Sequence, residues 1–531
     1  MSTLTSRILP AEQFQANREG MLALIQGIEE QLERNRAGGG PKYVERHRQR
    51  GKLLARERIE MLLDRDAPFL ELMPFAAYHT DFEVGASLIT GIGVVEDIEC
   101  MIVAHDPTIR GGASNPWTFR KIFRALQISL EDRLPFINIV ESGGADLPTQ
   151  ADLFIPGGEL FRNLTRLSAA RIPTLALVFG NSTAGGAYVP GMCEYSVFVQ
   201  NRAKVFLGGP PLVKMATGEE ADDEELGGAD MHSRVSGLSD FMAIDEPDCL
   251  RIARDIVRRL NYRKLGPPPS DVPDEPLYDP EELLGIASVD VKVPFDMKEV
   301  LARIVDGSRF DEFKPLYGTS LLTGWASIHG YPVGILANQR GILFSEEAQK
   351  ATQFIQLANK KDVSLIFIHN TTGYMVGKQY EQGGIIKHGA MMINAVSNSS
   401  VPHIALLTGS SYGAGNYGMS GRAYQPRFVF GWPNNKSSVM GPQQLAGVLS
   451  IVARAGAEAR GTAYDEEQDR AMRERVECQI EAESQALANS GHLYDDGIID
   501  PRDTRAVLGM ALSACHGNEV RGTDTYGVYR M

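Results

Sequence analysis

The stretch Pro173-Thr174-Leu175-Ala176-Leu177-Val178-Phe179-Gly180-Asn181-Ser182-Thr183-Ala184-Gly185-Gly186-Ala187-Tyr188 runs from an apolar segment of strand length straight into a glycine-rich turn. It has a counterpart 229 residues further on, Pro402-His403-Ile404-Ala405-Leu406-Leu407-Thr408-Gly409-Ser410-Ser411-Tyr412-Gly413-Ala414-Gly415-Asn416-Tyr417. Gly180 falls on Gly409, Ser182 on Ser411, Gly186 on Gly415 and Tyr188 on Tyr417 without a gap. Upstream, Leu134-Pro135-Phe136-Ile137-Asn138-Ile139 matches Val363-Ser364-Leu365-Ile366-Phe367-Ile368 at the same offset. Earlier still, Thr90-Gly91 matches Thr323-Gly324 and Ala104 matches Ala337, now 233 residues apart, so a small insertion separates the two registers. Short continuous apolar runs bounded by turn signals fit fully buried strands. The chain therefore reads as α/β, two copies of one unit in which buried strands alternate with helices.

At 531 residues the chain exceeds what one hydrophobic core ordinarily serves. The break falls at Gly266-Pro267-Pro268-Pro269-Ser270-Asp271-Val272-Pro273-Asp274-Glu275-Pro276, where proline excludes both helix and central strand. This predicts domains over 1–265 and 277–531. No apolar run approaches the roughly 20 residues that span a bilayer, and the N-terminus has neither a secretory nor a transit-peptide pattern. We read the protein as cytoplasmic. A net charge of −14 argues against a nucleic-acid partner. Cys100, Cys193, Cys249, Cys478 and Cys515 are too scattered to seed a zinc site, so they read as reduced thiols and no metal is expected.

Residues Ala11 to Arg36 carry a helical apolar stripe that ends at Gly38-Gly39-Gly40-Pro41. The basic run Lys52-Leu53-Leu54-Ala55-Arg56-Glu57-Arg58 then leads into Ile59, Leu62 and Leu63 at helical spacing. Such a run reads first as a solvated helix face, with contact to ligand phosphates as the alternative.

Small residues in the two glycine turns let backbone N–H groups approach a ligand oxygen, and a helix opening there adds partial positive charge. That is the geometry of an oxyanion hole. Gly409-Ser410-Ser411-Tyr412-Gly413 also satisfies the Gly-x-Ser-x-Gly pattern of hydrolases. The serine recurs at Ser182, which points to a structural role in both turns, and the downstream bases His492 and His516 lie in poorly placed segments. Further anion-holding candidates are Gly111-Gly112 and Gly143-Gly144, each after a strand-like run, although such pairs are most often plain turns. No P-loop or dinucleotide fingerprint occurs.

The strings ESGGADLP (Glu141 to Pro148), TAGGAYVPGM (Thr183 to Met192), GGPPLVKMATGEE (Gly208 to Glu220), LGGADMH (Leu226 to His232), ILFSEEAQKATQFI (Ile342 to Ile355) and YGAGNYGMSGRAY (Tyr412 to Tyr424) carry a family resemblance over nearly the whole chain. The sequence resembles the non-biotin β subunits of acyl-CoA carboxylases, above all the methylcrotonyl-CoA and geranyl-CoA types. The resemblance implies tandem duplicated crotonase-like domains, a homohexameric core, and active sites between the N domain of one subunit and the C domain of another. Acyl-CoA would bind the N domain and carboxybiotin the C domain. Two negatively charged oxygens develop in carboxyl transfer, on the thioester and on the ureido ring, and each donor aimed at one is worth roughly 3 kcal/mol.

Carried over residue by residue, the family pattern assigns the thioester hole to Gly185 and Gly186 and the biotin hole to Gly415 and Asn416. Ala184, Ala187, Ala414, Tyr417, Gly143, Gly144, Gly111 and Gly112 would line the bound CoA and biotin. The released biotin nitrogen can itself take the substrate proton, so no dedicated base is implied. The chain has no Ala-Met-Lys-Met biotinylation site, since Val213-Lys214-Met215 lacks the flanks, and no four-cysteine zinc ribbon. The resemblance thus implies a partner α subunit that carries biotin carboxylase and the biotin carboxyl carrier. The implied substrate is 3-methylcrotonyl-CoA, with geranyl-CoA or a saturated propionyl-, acetyl- or long-chain acyl-CoA as alternatives. A biotin-dependent decarboxylase subunit and a non-catalytic assembly paralogue are the other readings.

Overall fold

In the computed structural model, which describes residues 2–8 and 10–531, the duplication is a duplication of sheets. The first sheet runs Phe69–Leu72, Leu88–Val95, Ile98–His105, Phe136–Ser142, Thr174–Thr183, Tyr195–Val199 and Phe241–Ala243, and Lys204–Phe206 pairs beyond Tyr195–Val199 on the far end of Thr174–Thr183. The second runs Ser2–Thr3, Arg309–Glu312, Leu321–Ile328, Tyr331–Asn338, Ser364–Thr371, His403–Tyr412, Phe428–Gly431 and Gly497–Ile498, with Lys436–Ser438 on the far end of His403–Tyr412. In both, antiparallel pairing at the leading edge gives way to parallel pairing from Ile98–His105 and Tyr331–Asn338 onward. The parallel strands Phe136–Ser142 and Ser364–Thr371 are buried along their whole length, which is why their sequences are near-continuous apolar runs without alternation.

Between the parallel strands run helices that the sequence starts and stops explicitly. Pro116–Asp132 begins with Pro116 in its first turn, and the Asn115 side chain accepts hydrogen bonds from the Trp117 and Thr118 N–H groups at 2.9 and 3.1 Å. Its counterpart is Ser345–Lys360, 229 residues on. Each helix inserts a fully buried lysine. Lys121 Nζ donates to the Gly85 and Leu88 carbonyls at 3.2 and 2.5 Å, and Lys350 Nζ to the Gly318 and Leu321 carbonyls at 3.3 and 2.9 Å. The two lysines keep the 229 offset and their acceptors the 233 offset, so one contact fixes the insertion between the registers.

The chain divides into two compact units at Leu265 and Gly266. Glu29–Leu265 and His516–Asn518 form one; the segment through Ile28, Gly266–Cys515 and Glu519–Met531 form the other. The segment through Ile28 is therefore counted with the later sequence, unlike a division into 1–265 and 277–531, because its groups find partners there. Ser2–Thr3 pairs antiparallel with Arg309–Glu312, Asn17 Nδ2 donates to the Gly285 carbonyl at 3.0 Å, and Arg18 pairs with Glu281 at 2.5 Å. Nor is the proline-rich stretch a free linker. The Ser270 and Asp271 N–H groups donate to the Gly330 carbonyl, and Ser327 Oγ donates to Asp271. No helix among the described residues is long and apolar enough to cross a membrane.

Burial of Lys121 drives its pKa down from 10.5 to about 7. Between those two values the unfolded chain holds a proton that the folded chain does not, so this lysine's contribution to stability rises with pH. We expect the stability difference between wild type and Lys121→Met, measured by urea unfolding, to shift in favour of wild type from pH 7 to pH 10, by up to roughly 1.4 kcal/mol per pH unit. A difference independent of pH would show that the buried ammonium titrates as an ordinary lysine.

Candidate functional site

Each glycine turn is prepared by a slip in strand register. Between Val140 and Ser142 the pairing with Thr174–Thr183 shifts, so that Ser142 faces Ser182; between His369 and Thr371 the same shift sets Thr371 opposite Ser411. Beyond the slip, one strand turns at Gly144 (φ 95°) or Gly373 (φ 126°), and its neighbour turns at Ala184 (φ 54°) or Gly413 (φ 52°). Ala184 thus holds, with a Cβ, the left-handed conformation that glycine holds in the other copy, at a cost of roughly 1–2 kcal/mol. From these turns start the short helical segments Ala184–Ala187, continuing as Tyr188–Met192, and Gly413–Gly418. The first N–H groups of a helix have no carbonyl behind them. The donors each turn can offer are therefore those at 184–186 and 413–415.

The two turns are held differently. Ser182 Oγ donates to the Gly186 carbonyl at 2.9 Å, inside its own turn. Ser411 Oγ accepts from Asn416 Nδ2 at 2.8 Å and lies 2.9 Å from His369 Nδ1 on the adjacent strand. That serine–histidine pair is one the sequence did not suggest, and it does not revive hydrolysis. Ser411 and His369 are both buried, so no acyl group reaches Oγ. Burial also pushes the His369 pKa down to about 4.

Exposure differs as well. Ala184 and Gly185 are exposed, Gly186 is half-buried, and a Cβ on Gly186 would meet only Ser182 Oγ at 3.4 Å. Ala187 is buried. In the second turn Ala414 and Tyr417 are exposed and Asn416 is half-buried, but Gly415 is buried. A Cβ on Gly415 would stand 2.9 Å from Gly373 Cα and 3.1 Å from Thr371. A side chain fits the first turn and collides in the second.

Gly111, Gly112, Gly143 and Gly144 do come together, bonded to one another and to Ser142 and Ile109. The Gly143 N–H donates to the Gly111 carbonyl at 2.9 Å, Ser142 Oγ to the Gly112 carbonyl at 2.7 Å, and the Gly112 N–H to the Ile109 carbonyl at 2.8 Å. The Gly144 N–H reaches Ser142 Oγ at 3.2 Å. Close approach explains two of these glycines, since a Cβ on Gly112 would lie 2.3 Å from the Glu141 carbonyl oxygen and one on Gly144 would lie 3.1 Å from Thr183 Oγ1, whereas Gly111 has open space and a left-handed φ of 67°.

The basic run is not a solvated face. Lys52 Nζ pairs with Glu141 at 2.5 Å, and Arg58, wholly buried, pairs with Glu141 at 2.8 Å and with Glu246 at 2.9 Å. Arg202 reaches Glu246 at 2.9 Å, Arg56 pairs with Glu71 at 2.8 Å, and the Arg58 guanidinium lies 4.4 Å above the Phe179 ring. Burial works against the Glu141 charge, but Arg58 and Lys52 outweigh it and hold the carboxyl below its usual range. Glu141 also explains Gly180, where a Cβ would stand 2.6 Å from Glu141 Cγ. In the second half Asn370 takes the place of Glu141 and abuts Gly409 in the same way. There a cavity of about 610 Å³ opens beside the strand ends, with Lys292, Phe295, Arg340, Asn370, Thr372 and Ser410 in its wall. No group of side chains suited to a metal ion occurs among the described residues.

Comparison with known proteins gives a consistent result. A family model described as a carboxyl transferase domain matches residues 46–525. The chain is 68% identical over 511 residues, 96% of each chain, to a probable biotin-dependent acyl-coenzyme A carboxylase beta2 subunit of Mycobacterium tuberculosis. It is 46% identical over 526 residues to the mitochondrial methylcrotonoyl-CoA carboxylase beta chain of Dictyostelium discoideum, covering 98% of this chain and 89% of that one. The crystal structure of the beta subunit of P. aeruginosa geranyl-CoA carboxylase superimposes with a TM-score of 0.91 at 40% identity over 99% of both chains. The fold of both halves is thus the crotonase-like fold of carboxyltransferases.

Removing Arg58 would leave two carboxylates buried without their shared cation, which costs about 3–5 kcal/mol. Arg58→Met should lower the melting temperature sharply at neutral pH, and the deficit should shrink as pH falls and Glu141 takes up a proton. A variant as stable as wild type at pH 7.5 in calorimetry would show that the network carries no net stabilisation.

Proposed function

Since the chain belongs to the carboxyl transferase domain family, we propose that it is the carboxyltransferase β subunit of an acyl-CoA carboxylase and that its substrate is 3-methylcrotonyl-CoA. One observation carries the reading: two turns of the same backbone, with Ala184 and Gly413 in the same left-handed conformation, stand at matching strand ends of two crotonase-like units. A transfer between two ligands that each develop a negative oxygen needs two sets of donors.

The Gly185 and Gly186 N–H groups face the thioester oxygen of the acyl-CoA and stabilise its charge as the carbon beside it, or conjugated with it, becomes nucleophilic. In the second turn the free Gly415 N–H faces the ureido oxygen of biotin, with Asn416 beside it. Carboxybiotin, brought by a biotin-carrying α subunit, supplies the CO2. The cavity beside the second turn supports this fit, since Lys292 and Arg340 offer positive charge to a carboxylate while Asn370 and Ser410 offer hydrogen bonds to a polar ring. Gly111, Gly112, Gly143 and Gly144 hold the first turn in shape, with Ala184, Ala187, Ala414 and Tyr417 beside the ligands. The homohexamer, with sites completed by neighbouring subunits, and a cytoplasmic location belong to this reading. The mitochondrial methylcrotonoyl-CoA carboxylase chain, 46% identical, supports the choice of substrate, and the geranyl-CoA carboxylase likeness makes geranyl-CoA the second candidate.

The deciding assay is a panel of 3-methylcrotonyl-, geranyl-, propionyl-, acetyl- and long-chain acyl-CoA with ATP, bicarbonate and the biotin-bearing subunit. We expect no product from the chain alone and fastest turnover of 3-methylcrotonyl-CoA in the complex; preference for a saturated acyl-CoA would overturn the substrate assignment. Gly186→Val, at the turn with room for a side chain, should lower acyl-CoA turnover by roughly two to three orders of magnitude. Slow loss of CO2 from carboxybiotin should persist in that variant. Unchanged turnover would remove the first turn from the mechanism.

A further inference from the structure

The serine shared by the two turns is wired differently in each, and the difference falls on positions that duplication should have made alike. Ser182 Oγ has its partner four residues along the chain, in the Gly186 carbonyl. Ser411 Oγ instead links Asn416, in the second turn, to His369, on the next strand. At the corresponding positions the first half has Ala187 and Val140, neither of which can take part in a hydrogen bond through its side chain. The second half therefore has a polar chain of three side chains, His369–Ser411–Asn416, where the first has two apolar residues.

The protons in this chain can be placed. Asn416 Nδ2 can only donate, so Ser411 Oγ accepts from it and keeps its own hydroxyl proton to give. His369 is fully buried, and burial holds the ring neutral. In the Nε2–H tautomer, Nδ1 accepts that hydroxyl proton. The orientation this fixes is that of the Asn416 amide, whose Oδ1 would lie 1.9 Å from a Cβ on Gly421 and whose backbone carbonyl accepts from the Gly421 N–H at 2.9 Å. Asn416 is clamped on both sides, and one link of the clamp crosses to another strand and ends at His369.

We propose that His369 is a positioning residue for the second turn, orienting its donors toward biotin through Ser411 and Asn416. The inference rests on the reading of that turn as the biotin hole. The first turn lacks the chain, so the effect of breaking it is confined to one ligand.

The test compares His369→Val, which installs the residue of the first half, with His369→Asn, whose side-chain oxygen can replace Nδ1 as acceptor. Ser411→Ala removes the middle link with little change in volume. Binding of free biotin and of acyl-CoA to the full-length chain is followed by saturation-transfer NMR. Reverse transfer is then assayed: the carboxyl group passes from the carboxylated acyl-CoA to free biotin, and the biotin N–H proton returns to the acyl carbon. We expect His369→Val and Ser411→Ala each to raise the Kd and KM for biotin by roughly tenfold, the scale of one buried hydrogen bond, with the acyl-CoA constants unchanged. His369→Asn should restore most of the loss. Equal weakening of both ligands, equal loss in the Val and Asn variants, or unchanged biotin binding in His369→Val would each overturn the proposal. A loss confined to acyl-CoA would instead leave the positioning chain standing and overturn the assignment of the second turn to biotin.

Discussion

Val140 and Ser142 straddle a slip in register that the strand beside them does not share, and His369 and Thr371 straddle the same slip in the second half. Up to that point the neighbouring parallel strands keep a regular register. The slip parts them and sets a hydroxyl-bearing residue of one strand opposite the buried serine of the next, Ser142 against Ser182 and Thr371 against Ser411. The glycines of the site follow from that choice. Gly112, Gly180 and Gly409 stand where another backbone or a strand-end side chain comes too close for a Cβ, Gly144 is tight against Thr183, and Gly373 holds a left-handed φ of 126°.

Around this shared frame the halves have diverged in charge. The first keeps a carboxylate at the strand end, Glu141, and surrounds it with Arg58 and Lys52. Buried ion pairs of this kind stabilise little relative to apolar packing but are costly to break, so the corner beside the first turn is a rigid one. The second half replaces the carboxylate with Asn370, needs no cations to neutralise it, and has an open cavity with Lys292 and Arg340 in its wall. Beside its turn the first unit has an ion-paired corner, and the second has a cavity with Lys292, Asp296 and Arg340 in its wall.

The sequence was most informative where chemistry and local geometry coincide. The duplicated strands, the glycine turns and the helices that follow them were legible because a continuous apolar run and a small-residue turn act within a few positions of one another. The basic run Lys52–Arg58 was misread as solvated, because its partners Glu141 and Glu246 lie far along the chain and nothing local marks a buried arginine. Gly111, Gly112, Gly143 and Gly144 were visible as candidates, but whether their N–H groups face a ligand or each other depends on contacts across strands. The Lys121 and Lys350 pair did carry a signal, the 229-residue offset, which a comparison of charged positions alone would have found.

By itself, then, the sequence determined the α/β class, the two copies, the turns and the family, since these rest on periodicity, composition and short motifs that fold locally. Only the tertiary structure decided that the N-terminal segment packs with the later unit, that Gly415 is buried while Gly186 has room, and that His369 is joined to Ser411. Each of those depends on which residues distant in the chain are brought within a few ångströms, and hydrogen bonds, ion pairs and steric exclusion act only at that range.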